Sequence, residues 1–187
     1  MPEDLRKKLA RIKSIPDPLQ RKLWALGILT KGLASDGLRP ILIGGAAVEY
    51  YSLGGYATAD VDIALPSDPA VDKLFADLGF KKEGRYWVHE VLDLLFEAPA
   101  GILKGEDAPL TKVTIEDLEC YILGVEDLII DRLNGYVHWK WEDDGRWVRR
   151  LVALHREDLD VEYLRRRAKQ EKTGDALETI LNEEMPA

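Results

Sequence analysis

Apolar positions along the chain follow two periods. Leu5, Leu9 and Ile12 recur at helical spacing, so a short amphipathic helix opens the chain. Asp17-Pro18 has the form of an N-cap followed by proline at the first helical position. The helix it starts buries Leu19, Leu23, Leu26 and Leu33, and stops near Asp36-Gly37. ILIGG (41–45) is a short apolar strand running into glycines. AAVEYYSLGG then reads as a helix ending at Gly54-Gly55, and ATADVDIAL as a strand of alternating polarity. Ser67-Asp68-Pro69 starts another helix, with Val71, Leu74, Phe75 and Leu78 inward and Gly79 just past its end. FKKEGRYWVH is a hairpin around Glu83-Gly84, and VLDLLFE (91–97) a buried strand. Residues 98–110 form a Gly/Pro-containing loop, and TKVTIEDLECYILG holds one more short strand. From Val125 the period is helical throughout: VEDLIIDRLNGYVHWK, RWVRRLVALH, VEYLRRRAKQ and DALETILNEE. This order predicts an α/β (α+β) core, a mixed sheet of four or five strands flanked by helices, followed by a helical C-terminal part. The expected division is a core with its N-terminal helices over 1–135, and a helical extension packed on it over 136–187.

Composition narrows the setting. The 187 residues are 46% hydrophobic and 32% charged, ordinary for a globular protein. No apolar run reaches the roughly 18 residues that span a bilayer, and the charged N-terminus has no signal-peptide core. No membrane partner and a cytoplasmic location are the expectation. The lone Cys120 has no internal partner and sits among apolar residues, as a small core residue would. The net charge of −8 argues against non-specific nucleic-acid binding by the whole surface. It is uneven, however: Arg146, Arg149, Arg150, Arg156, Arg165, Arg166, Arg167 and Lys169 make 146–169 locally basic. Such a stretch is either a solvated helix surface or a face for a phosphate-bearing partner such as RNA.

The chemistry-bearing residues lie between the glycines and the second apolar strand. Asp60 and Asp62 are two apart on a predicted strand, so both carboxylates point to one face and Val61 and Ile63 to the other. Two carboxylates so close repel unless a cation sits between them, and Mg²⁺ (or Mn²⁺) favours such oxygens. Asp93 stands inside V-L-D-L-L-F, where an acid is costly to bury unless it is paired or ligates a metal. If the strands carrying Asp60 and Asp93 are neighbours, the three carboxylates converge and can hold two metal ions. Gly44-Gly45, between a strand and a helix start, allows backbone N–H groups to approach phosphate closely. His89, His138 and His155 show no ligand spacing, although His89-Glu90 is near enough to Asp93 to line an acceptor side. Glu97 shares the strand face of Asp93. The run WKWEDDGRW, with Trp139, Trp141 and Trp147, reads as packing of the C-terminal helices on the core, or else as a base-stacking surface. Glu126 and Asp127 read as acids capping the helix that follows.

Together, ILIGGAAVEYYSLGGYATADVDIAL resembles the signature of the nucleotidyltransferase fold superfamily, the DNA polymerase beta-like minimal nucleotidyltransferases. It is similar above all to the AbiEii toxin-like and related small prokaryotic members. Thr58, two before Asp60, is similar to their T-x-D-h-D form, and VEDLIIDRLNGY resembles their E-D-L-h-x-x-K-L segment with Arg132 at the lysine position. The resemblance covers roughly residues 40–135. It implies transfer of a nucleoside monophosphate from an NTP to a hydroxyl acceptor: RNA, protein or a small molecule. By it, Asp60, Asp62 and Asp93 would ligate Mg²⁺ or Mn²⁺, and Gly44, Gly45, Thr58 and Arg132 would bind the triphosphate. A toxin-like role with a cognate partner protein is among its implications. The rival expectation is a non-catalytic nucleotide- and metal-binding regulatory domain.

Overall fold

The fold is that of a computed structural model, which describes residues 2–100 and 108–183. The chain divides into two compact units, Met1–Leu123 and Gly124–Ala187. Among the described residues no helix is long and apolar enough to cross a membrane.

The first unit opens with α1 (Pro2–Ala10) and a single 3₁₀ turn, then α2 (Pro18–Leu33). Asp17 caps α2 by accepting from the Gln20 N–H at 2.7 Å; such a cap contributes about 1 kcal/mol. Next come β1 (Ile41–Leu42), α3 (Gly44–Tyr51), β2 (Asp60–Ala64) and α4 (Pro69–Asp77), the last capped by Asp68. β3 (Lys81–Glu83) and β4 (Tyr86–His89) form the expected hairpin, closed by Gly84 and Arg85. β5 (Leu94–Ala100), β6 (Leu110–Ile115) and β7 (Leu118–Leu123) complete the unit. The middle of the predicted 98–110 loop, residues 101–107, lies outside the described residues.

The strands form one mixed sheet of seven in the order β3-β4-β5-β2-β1-β7-β6, more than the four or five expected. The main excess comes from TKVTIEDLECYILG, which is a hairpin of two strands and not one. Its turn, Glu116-Asp117, lacks the Asn-Gly or Asp-Gly signal, and Glu116 carries a φ of +54°. Ion pairs from the N-terminal helices hold it: Arg11 grips Glu116 at 2.8 and 3.0 Å, and Lys8 and Lys31 converge on Asp117. These cations keep the Asp117 carboxyl well below the usual carboxylate range.

Register separates the two faces of the sheet. Leu42 aligns with Ile63 on one side and Ile122 on the other, and Val61 aligns with Phe96 and through it Trp87. These side chains are buried and point to the face covered by α2 and α4. There Phe75 stacks on Trp87 with centroids 4.4 Å apart, and Gly27 lets α2 approach Leu118 and Cys120. Cys120 is a core residue: its Sγ–H donates to the Leu23 carbonyl at 2.9 Å, and burial pushes its thiol up to about 12. The opposite face carries Asp60, Asp62, Leu95 and Glu97.

The second unit is helical: α5 (Val125–His138), α6 (Glu142–His155), α7 (Val161–Gln170) and α8 (Gly174–Asn182). Two glycines set the close approach of α5 and α6: Gly135 abuts the Asp144 carboxylate and Gly145 abuts the Tyr136 ring. Asp127 does not cap α5. It is buried and accepts from Tyr163 Oη at 2.6 Å and Arg167 Nε at 3.0 Å. Glu126 accepts from the Asp160 N–H at 3.0 Å, so both acids tie α5 to the α7 region. Trp139 and Trp141 are exposed, at 61% and 58%, which corrects the expectation that they fill a packed interface.

Candidate functional site

The site grows from the point where β1 turns into α3 beside β2. Ile43 N–H donates to the Asp62 carbonyl at 3.0 Å, which lays the start of α3 along β2. Gly44 has a φ of +59°, a conformation that favours glycine, and a Cβ there would overlap the Asp62 carboxylate. Gly45 is equally confined: a Cβ on it would meet the Tyr56 ring at 3.1 Å and Thr58 Cβ at 3.2 Å. Thr58 Oγ1 in turn donates a short hydrogen bond to Asp60 Oδ1. Gly44, Gly45, Thr58, Asp60 and Asp62 are thus one cluster, with the uncapped N-terminus of α3 at its edge. Asp60 and Asp62 are half-buried and share a face, as strand alternation predicts.

Asp93 does not take the place expected of it. It is exposed and precedes β5, at the end of a 3₁₀ turn over Glu90–Leu92, with a φ of +52°. Aspartate tolerates this left-handed conformation better than most residues, so V-L-D-L-L-F breaks at the acid where a continuous strand is expected. Exposed Val91, at 70%, belongs to the same break. The acid buried within β5 is Glu97, which is 6% exposed and lies opposite Asp62 in the parallel β2–β5 register. Its counter-ion is Arg85, with Nε 3.1 Å from Glu97 Oε1. Arg85 comes from the turn of the β3–β4 hairpin, also meets Tyr86 Oη at 2.6 Å, and feels the charge of Asp62.

Sequence reasoning underrated Glu97 because face parity cannot separate it from Asp93; only the register of β2 against β5 does. It missed Lys22 altogether. That lysine is buried on α2, with Nζ 2.5 Å from both Glu49 Oε2 and the Thr58 carbonyl. The signal was present, since Lys22 falls three after Leu19 and four before Leu26, on the apolar stripe of α2.

Arg132 belongs to the second unit. It pairs with Asp144 at 3.1 Å, while its buried Nε makes no hydrogen bond and has Asp131 Oδ2 3.9 Å away. Half of the basic stretch is paired with acids: Arg146 with Asp143, Arg149 with Glu183, Arg165 with Glu178 and Arg167 with Asp127. His89 packs edge-on against Phe80, and burial lowers its basicity.

Among the described residues, no group of three or more His, Cys, Asp or Glu side chains forms a ready metal cage. Neither Asp60, Asp62 and Asp93 nor Asp60, Asp62 and Glu97 form such a group. The donor set at Asp60 and Asp62 nevertheless fits Mg²⁺, which takes one or two carboxylates and completes its shell with water and substrate phosphate.

No protein-family profile matches the chain, and no curated protein is similar to it. Solved structures are similar. One is an antigenic nucleotidyltransferase-like protein from Paracoccidioides brasiliensis, with a TM-score of 0.53 and 13% identity over 90% of this chain and 95% of that one. Another is the antibiotic-resistance factor ANT(2'')-Ia, with a TM-score of 0.51 and 16% identity over 92% of this chain and 97% of that one. At these identities the likeness is one of fold: the chain shares the α/β architecture of these two structures.

Proposed function

We propose that the chain is a divalent-metal-dependent nucleotidyltransferase, moving a nucleoside monophosphate from an NTP to a hydroxyl acceptor. The observation that carries this reading is the contact of Gly44 with Asp62 beneath the uncapped start of α3. It sets the N-terminal turn of α3, an end that favours phosphate, directly beside carboxylates suited to metal.

In this reading Asp60 and Asp62 hold the metal, and Glu97 takes the third acidic position in place of Asp93. Bound there, Mg²⁺ or Mn²⁺ would neutralise triphosphate charge and the charge that develops on the leaving pyrophosphate. Gly44 and Gly45 admit the β- and γ-phosphates against the backbone, and Thr58 fixes the Asp60 carboxylate by its hydrogen bond. The acceptor oxygen bonds to the α-phosphorus, the bond from that phosphorus to the β-bridging oxygen breaks, and pyrophosphate departs. Glu97, released from Arg85, receives the acceptor proton.

Two considerations favour a small hydroxylated acceptor over RNA. Four of the seven arginines of 146–169 are held in ion pairs, and one structure of similar fold is an antibiotic-resistance factor. Fold analogy is a weaker warrant than the pairing. One observation favours the non-catalytic reading instead: Arg85 already neutralises Glu97.

The test is NTP and Mn²⁺ binding to the wild type and to Asp60→Ala/Asp62→Ala, with labelled NTP offered to cell RNA, protein and small-molecule extract. Metal-dependent binding lost in the double variant supports the site. Equal binding by both proteins removes it, and binding without any labelled product favours the regulatory domain.

A further inference from the structure

The pair formed by Lys22 on α2 and Glu49 on α3 is the most deeply buried ion pair outside the carboxylate cluster among the described residues of the first unit, each partner being 6% exposed. Lysine and glutamate are rarely buried so far, because both must be stripped of water. Helix packing does not require them. Other buried residues of α2 (Leu26, Leu29, Leu33) and of α3 (Ala46, Ala47, Val48) are apolar. Well-packed hydrophobic residues commonly replace a buried ion pair without loss of stability.

What apolar side chains cannot supply is the third member of the contact. Lys22 Nζ also donates to the Thr58 carbonyl, 2.5 Å away, in the segment joining α3 to β2. Around it the segment is tied locally: Gly54 N–H donates to the Glu49 carbonyl at 3.1 Å, and Tyr56 N–H to Ser52 Oγ at 3.1 Å. Glu49 thus serves twice, its carboxylate orienting Lys22 and its carbonyl anchoring the turn. With its backbone fixed, Thr58 directs its hydroxyl to Asp60 Oδ1 and its methyl against Gly45. A chain of contacts runs from the interior of α2 to a carboxylate of the site, and Lys22 itself touches neither Asp60 nor Asp62 through any of them.

We propose that Lys22, oriented by Glu49, is a positioning residue that holds Thr58, and through it Asp60, in metal-binding geometry. The assignment rests on the nucleotidyl-transfer reading of the site. Partners that act behind metal ligands typically change affinity 10–100-fold when removed.

The experiment uses the full chain, with Lys22→Met and the charge-free pair Lys22→Met/Glu49→Met. The single variant leaves a buried carboxylate unpaired and can fail to fold; the double variant does not carry that penalty. Two readouts are taken: amide hydrogen exchange over residues 56–60, and the Mn²⁺ dissociation constant by electron paramagnetic resonance. The expected result for the double variant is native near-ultraviolet dichroism, exchange over 56–60 faster by about tenfold or more, and Mn²⁺ binding weakened about tenfold. Exchange and Mn²⁺ affinity both within about twofold of wild type would overturn the proposal, since the pair would then act in packing alone. A double variant without native dichroism would overturn it too, because the pair would be holding the helices. If the wild type binds no Mn²⁺, the nucleotidyl-transfer reading falls, and the exchange over 56–60 alone decides whether Lys22 orders the segment.

Discussion

Glu97 faces Asp62 across adjacent parallel strands, and is the buried acid of β5 that sequence spacing assigned to Asp93. The two acids make opposite predictions on substitution. Glu97→Gln is expected to lower nucleotidyl transfer by about 100-fold or more, in the range reported for groups that act on reacting protons. Asp93→Asn is expected to stay within about twofold, because Asp93 is exposed and asparagine tolerates a positive φ equally well. Initial rates of the two variants at saturating NTP decide between them. A large loss in Asp93→Asn with none in Glu97→Gln would restore the original assignment.

Gly44 and Gly37 separate backbone strain from site overlap. Both have positive φ, +59° and +71°, but a Cβ at Gly37 meets nothing within 4 Å. Gly37→Ala should cost about 1 kcal/mol in urea unfolding and leave NTP binding intact. Gly44→Ala should cost more, because its methyl displaces the Asp62 carboxylate, and should abolish metal-dependent NTP binding.

The Lys22–Glu49 pair yields a stability prediction independent of function. Lys22→Met leaves Glu49 buried without its counter-ion and should destabilise the first unit by about 3–5 kcal/mol. Lys22→Met/Glu49→Met should recover most of that loss, read as the shift of the urea midpoint at constant slope.

Alkaline pH should act on the second unit through Tyr163. Burial, then its hydrogen bond to Asp127, pushes the phenol up to about 12 from an ordinary 10. The native state therefore keeps a proton that the unfolded chain loses, and stability falls as pH rises from about 10 to about 12. Below about 10 the contribution is fully present. Other groups titrate in that window, so the readout is a difference: Tyr163→Phe should show a shallower loss of thermal stability across it than the wild type.

Much of the fold was legible because it rests on local rules. The Asp17 and Asp68 caps, the Glu83-Gly84 hairpin and the four C-terminal helices all announce themselves within a few residues. So does the shared face of Asp60 and Asp62, which needs only the alternation of a strand. The failures are non-local. The Glu116-Asp117 turn is held by cations from α1, α2 and the turn between them, far away in sequence, and its own residues give no hairpin signal. Glu97 outranks Asp93 only through the β2–β5 register, and Lys22 gains meaning only when Glu49 and Thr58 come together around it. Arg132 was assigned by resemblance, which carries no information about its pairing with Asp144.

The central claim is that this site transfers a nucleotide, and the position of the transferred phosphate tests it most directly. The protein, Mn²⁺ and a small-molecule extract are incubated with NTP labelled at the α-phosphate or, separately, at the γ-phosphate, and products are compared with those of Asp62→Asn. The account predicts label in an acceptor from the α-labelled NTP only, release of pyrophosphate, and neither product with Asp62→Asn. Label arriving from the γ-phosphate, or equal labelling by Asp62→Asn, would contradict it.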